Sequence, residues 1–210
     1  MRDGVAVINV DIDGVLYDFV GAMQHELALA GYDPRPIDPL LSLHGAYGIT
    51  RETFEEIMFE GIKKGRVFGP SYPDRVIRGA KEAMWRLWDQ YFIRLVTMKS
   101  GFPDPLRAAA IRNCVEWLAD NKIPYDDIAF VQGHKLDYPA DVVIDDRPEP
   151  TRWAQRRALN LLFTQPHNVL LNEREWDDRF RAAKEGRPAI RVDNWQEAVL
   201  RIERRFSDGK

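Results

Sequence analysis

Apolar and polar positions along this chain follow two alternating periods. Residues 5–10 (VAVINV) are a short, β-branched, apolar run, the pattern of a strand buried on both faces. Similar runs recur at 93–97 (IRLVT), 128–131 (IAFV), 142–144 (VVI) and 159–163 (LNLLF). Between them the spacing widens to that of helices. Over 78–91, Ala80, Ala83, Met84, Leu87 and Trp88 form one stripe; over 105–121, Ile111, Val115 and Leu118 form another. Pro103 and Pro105 mark where the second helix begins, since proline suits a first helical turn. Strand–helix–strand alternation predicts an α/β fold, a parallel sheet covered by helices on both faces.

One stretch breaks the alternation. About eighty residues separate the first two strands, far more than a single crossover helix needs. Within it, 17–30 and 50–64 read as helices, the second capped by Thr50, and the Pro- and Gly-rich stretch 31–48 reads as loop. The expected organisation is a core of residues 1–19 and 74–210, with a small helical insertion at 20–73. The tail predicts a charged helix at 173–184, a strand at 190–192 and a last helix at 195–205.

Composition narrows the class. The chain has 210 residues, 45% of them hydrophobic and 30% charged, which is ordinary globular usage. A net charge of −3 supplies no basic field for nucleic acid or an anionic membrane. No apolar run nears the ~20 residues of a membrane span. The one cysteine, Cys114, excludes an intrachain disulfide; it lies on a helical stripe and reads as a small buried hydrophobe. A reducing, cytoplasmic setting is the corresponding expectation.

The chemistry gathers at strand ends. The first strand runs into Asp11-Ile12-Asp13-Gly14, the second ends at Thr97, and the fourth at Asp145-Asp146-Arg147, with Lys135 in the loop before it. Ligands of open parallel sheets bind at the carboxyl ends of the strands. Four carboxylates there are costly to bury without a cation. Carboxylate oxygens suit Mg²⁺, whose shell phosphate oxygens commonly complete, and a lysine and a hydroxyl suit the phosphate.

This constellation resembles the haloacid-dehalogenase-like (HAD) phosphatases, in the same order along the chain. Asp18-Phe19, Ile144-Asp145-Asp146-Arg147-Pro148, Leu162-Phe163-Thr164 and His167-Asn168 further resemble the 5′(3′)-deoxyribonucleotidases of that superfamily, of the cytosolic and mitochondrial pyrimidine type. The similarity runs from Val5 to Leu170 and is weak across the insertion. It implies a Rossmann-like HAD core with the insertion as a cap. It implies a phosphomonoesterase in which Asp11 is the nucleophile and Asp13 the general acid and base. Thr97 and Lys135 would hold the phosphoryl oxygens. Mg²⁺ would be bound by Asp11, the Asp13 carbonyl and the Asp145–Asp146 pair, with Asp146 favoured as the direct ligand. The implied substrate is a nucleoside monophosphate, with Phe19 at the place where the family stacks a base; Phe68, near the return from the insertion, is a second stacking candidate, although lone aromatics mostly fill cores.

One departure stands out. The family's threonine is followed by serine and proline; here Met98 and Lys99 follow. Met98 keeps a backbone N–H for phosphate. Lys99 reads first as a solvent-facing lysine and second as a phosphate contact. Arg147 reads as an ion-pair partner, and His134 first as a solvated loop residue and second as one bordering the site. The alternatives are a HAD phosphatase for another small ester or a nucleic-acid phosphate end, and a non-catalytic phosphate or nucleotide binder. Stable nucleic-acid and membrane partners are not expected, and the oligomeric state stays open, a homodimer included.

Overall fold

The computed structural model describes residues 4–35, 44–72, 75–132, 135, 138–147, 158–168 and 189–207. The predicted helix at 173–184, His134 and Pro148 lie outside these. Among the described residues, six strands form one sheet: β1 (Val7–Val10), β2 (Phe92–Thr97), β3 (Asp127–Phe130), β4 (Val142–Asp145), β5 (Leu159–Phe163) and β6 (Ile190–Val192). Their order is β3-β2-β1-β4-β5-β6, and all five pairings are parallel. Ile8 pairs with Ile93 on one side and with Val142 on the other. The chain therefore steps outward from β1 in one direction, then returns to β4 on its opposite flank. The crevice at the carboxyl end between β1 and β4 is the switch point where such sheets take ligands.

Five helices accompany the sheet among the described residues: α1 (Phe19–Leu29), α2 (Arg51–Lys63), α3 (Ala80–Trp88), α4 (Leu106–Asp120) and α5 (Trp195–Ser207). Two start where side-chain caps predict. The Asp18 side chain accepts from the Gly21 amide, and Thr50 accepts from the Thr53 amide. α3 buries the predicted stripe, Ala80, Ala83, Met84 and Leu87. α4 does not: Val115 is 38% exposed, while Ala110, Asn113, Cys114, Trp117 and Leu118 are buried. The rotation follows from a second neighbour, since α4 also packs on α2, and Asn113 Nδ2 donates to the Ile62 carbonyl at 2.7 Å.

One hydrophobic core runs through both regions. Ile8, Val10, Leu95 and Ile144 of the sheet belong to the same cluster as Met23, Phe54, Ile62 and Val67 of the insertion. Cys114 is buried within it, as expected. Among the described residues, no helix is long and apolar enough to cross a membrane.

Candidate active site

β1 delivers its carboxylates into the crevice. The Asp11 amide donates to the Ile144 carbonyl at 3.0 Å, extending the β1–β4 pairing by one residue. The chain then curls: the Gly14 amide donates to the Tyr17 carbonyl, and the Tyr17 amide to the Ile12 carbonyl. Gly14 adopts φ +75°, open to glycine at little cost. A Cβ there would stand 1.9 Å from Asp146 Oδ2. The two acidic loops thus touch at a spot that admits no side chain.

Asp11, Asp145 and Asp146 converge on one point, each offering an oxygen within 4.8 Å of the others. Lys135 enters from the loop before β4, and its Nζ stands 2.8 Å from Asp11 Oδ2 and 2.8 Å from Asp145 Oδ2. Burial alone would lower the lysine's pKa, but the two carboxylates outweigh it and keep the ammonium charged. One buried cation does not balance three buried carboxylates. Burial first, and then the Asp11 charge, push the Asp146 pKa up to about 8; burial raises that of Asp145 as well. Surplus buried carboxylate in an all-oxygen donor set fits a hard divalent cation, whose charge would remove that penalty.

Asp13 faces the second strand end. Its Oδ2 accepts from Thr97 Oγ1 at 3.4 Å, and Thr97 is fully buried. Burial raises the Asp13 pKa, Lys99 opposing and Asp11 reinforcing. Lys99 corrects its sequence reading. It is 1% exposed, not solvent-facing, and its ammonium pairs with Asp13 Oδ2. The short helical turn Lys99–Gly101 directs the side chain inward, and the Asp13 carboxylate with the Phe68 ring face supplies what water would. Met98 is 36% exposed. Arg147, read as an ion-pair partner, instead sets its guanidinium on Met98 Sδ at 3.1 Å and donates its amide to Asp145 Oδ1.

The two aromatics lie together. The Phe19 and Phe68 rings stack with centroids 5.5 Å apart and 11° between planes. Phe68 is 5% exposed and adopts φ +59°, unusual for a bulky residue; the Tyr17 hydroxyl accepts its amide at 3.1 Å.

Sequence reasoning missed the clamp after β5. Gln165 Nε2 donates to the Gly14 carbonyl at 2.7 Å, and Asn168 Nδ2 to the Asp146 carbonyl at 2.6 Å. His167 Nε2 lies 3.2 Å from the same Asp146 carbonyl and 3.3 Å from Asp146 Oδ2. Burial lowers the His167 pKa, which favours the neutral ring. Arg191 of β6 holds Asn168 through its side-chain and backbone oxygens. The His167-Asn168 pair had been visible as a motif without chemistry; Gln165 and Arg191 carried no signal.

Comparisons with known proteins agree with this geometry. The family model described as "5′ nucleotidase, deoxy (Pyrimidine), cytosolic type C protein" matches residues 5–205. The match extends past Leu170, where the resemblance carried by the sequence motifs ends. A Chlorobaculum tepidum protein named "Putative 5′(3′)-deoxyribonucleotidase" is 31% identical over 191 residues, covering 85% of this chain and 90% of its own. Among solved structures, a haloacid dehalogenase-like family hydrolase from Streptococcus pneumoniae superposes with TM-score 0.58 at 14% identity, covering 94% of this chain and 98% of its own. The latter likeness concerns the fold.

Proposed function

We propose a reaction for this chain from one premise: it belongs to the family of cytosolic type C deoxy (pyrimidine) 5′ nucleotidases, HAD-like phosphatases by fold. The reaction is hydrolysis of a nucleoside monophosphate, deoxy in preference to ribo, through an aspartyl-phosphate. The observation that carries the proposal is the meeting of Asp11, Lys135, Asp145 and Asp146 at the β1–β4 switch point, with Asp13 and Thr97 beside them.

In the first half-reaction an Asp11 oxygen attacks phosphorus. The phosphorus–oxygen ester bond breaks, and Asp13 gives its proton to the departing ribose oxygen. In the second, Asp13 takes a proton from water as that water attacks the aspartyl-phosphate. The Asp11–phosphorus bond breaks, releasing phosphate and restoring both carboxyl groups. Lys135 and Thr97 hold the equatorial phosphoryl oxygens as charge spreads over them. Asp11, Asp146 and the Asp13 carbonyl would hold Mg²⁺, with Asp145 fixing Lys135 behind them. That ion supplies charge neutralisation between the carboxylate nucleophile and the phosphate dianion. Phe19 offers a flat apolar face that a base stacks on, worth ~1–3 kcal/mol per base; Phe68, buried between the Phe19 ring and the Lys99 ammonium, backs that face rather than meeting the base itself. Residues 20–73 act as the cap that brings Phe68 over the site.

The test is phosphate release from deoxy- and ribonucleoside monophosphates, sugar phosphates and phosphate-ended oligonucleotides, with Mg²⁺ and with EDTA. Release that favours deoxynucleotides, stops with EDTA and vanishes in Asp11→Asn is the expected result. Release from sugar phosphates alone would discard the substrate class. Turnover by folded Asp11→Asn would remove the covalent step.

A further inference from the structure

We propose that Lys99 is a positioning residue for Asp13, fixing its carboxylate for proton transfer in both half-reactions. The inference rests on the acid–base assignment of Asp13 above. Lys99 stands two residues beyond Thr97, in the short turn that follows β2. A lysine 1% exposed needs strong partners, because burying an unpaired ammonium costs several kcal/mol. It has two. Its ammonium pairs with Asp13 Oδ2 and stands 3.5 Å from the centroid of the Phe68 ring.

The geometry makes Lys99 the main restraint on the carboxylate. Asp13 Oδ1 is buried without a hydrogen-bond partner among the described residues. Only Oδ2 is held, by Lys99 and by the longer 3.4 Å contact from Thr97. Removing the ammonium would leave the carboxylate held by the 3.4 Å Thr97 contact alone, and an acid–base group must lie within hydrogen-bond reach of its proton. Lys99 is itself fixed from the far side. Tyr17 holds the Phe68 backbone at φ +59°, and Phe68 presents its ring to the ammonium. Residues held in sparsely populated backbone regions cluster where function over-determines them. The chain of contacts Tyr17–Phe68–Lys99–Asp13 thus links the end of the insertion to the proton-transfer group.

The experiment uses the full-length protein, with p-nitrophenyl phosphate and deoxyuridine 5′-monophosphate as probes, on wild type, Lys99→Met, Lys99→Gln and Asp13→Asn. A nitrophenolate leaves without a proton, so its burst reports attack by Asp11 alone, and its steady state reports hydrolysis of the phospho-enzyme. Lys99→Met is expected to keep the burst within about threefold while the steady-state rate falls roughly 10- to 100-fold, a part of what acid–base groups supply. With the nucleotide, kcat should fall by at least as much while KM stays within about threefold. Lys99→Gln, which keeps a neutral donor one bond shorter, should lose less, and it carries the same readouts should Lys99→Met fail to fold. Burst and steady state falling together, KM rising with kcat kept, or no change would each overturn the proposal. Asp13→Asn separates the two layers: unchanged nucleotide turnover there would sink the acid–base assignment itself.

Discussion

At the scale of single residues, the site is governed by what cannot be placed there. Gly14 sits at φ +75° with Asp146 Oδ2 only 1.9 Å from where a Cβ would be. A left-handed conformation costs an alanine about 1–2 kcal/mol, and the contact adds a displacement of Asp146. Gly14→Ala should therefore fold, with a lowered Tm, and lose more than tenfold in Mg²⁺-dependent phosphate release. A melt paired with a Mg²⁺ titration of activity checks this; a wild-type titration curve would show that the two loops need not touch. Cys114 makes the opposite case, a reactive type made inert. Burial pushes its thiol up to about 12. A raised pKa means that the thiolate forms only as pH climbs toward that value, so at pH 8 about one thiol in 10⁴ is ionised. The native protein should resist a thiol-directed disulfide reagent at pH 8, and the urea-unfolded protein should react once per chain. Fast labelling of the native state would contradict the burial.

At the scale of elements, the strands fix the order of the chemistry and the loops fix its geometry. The strand ends were legible because buried parallel strands are written as apolar runs and the charged residues that interrupt them stand out. Asp11, Thr97 and Asp145 could be placed that way. Lys99 could not, because a lysine two residues past a strand end reads the same whether it meets water or a carboxylate. The stripe of α4 failed for a related reason: periodicity reports one buried face, and α4 has two neighbours, the turn Lys99–Gly101 and α2. The clamp after β5 is built from an amide-rich loop whose partners are backbone carbonyls, and carbonyls leave no trace in a sequence. Asn168 is fully buried and joins the Asp146 carbonyl, the Phe163 carbonyl and Arg191. Asn168→Ala should weaken Mg²⁺ binding about 10- to 100-fold, the usual cost of losing a group that orients a metal ligand. Isothermal titration with Mg²⁺ measures it directly, and unchanged affinity would make the clamp purely structural.

At the scale of the whole molecule, the question is whether residues 20–73 form a separate body or part of one. The chain leaves the sheet at Asp18, whose amide donates to the Arg75 carbonyl, so departure and return are fastened side by side. Between them, Arg66 and Glu26 pair at 2.6 Å with Glu26 nearly buried, tying the end of α2 to α1. The Arg66–Glu26 pair is internal to the insertion and is what an independent lobe would have. The packing decides otherwise. Phe54, Ile62, Val67 and Phe68 share one continuous core with Tyr17 and Trp117, and the Phe68 ring tilts against that of Tyr17 at 5.9 Å. Asn113 of α4 completes the carbonyls at the end of α2. Removing the insertion would strip the Asn113 amide of the Ile62 and Val67 carbonyls and leave α4 without its α2 neighbour, so the remaining sheet has no finished surface. Unfolding should therefore be a single cooperative transition, with calorimetric and van't Hoff enthalpies equal within error. A variant with 20–73 replaced by a short linker should fail to give a cooperative melt. Two resolved calorimetric transitions, or a cooperatively folding deletion variant, would instead make the insertion a separate body, and substrate access to the buried carboxylates would then follow from its motion as a unit.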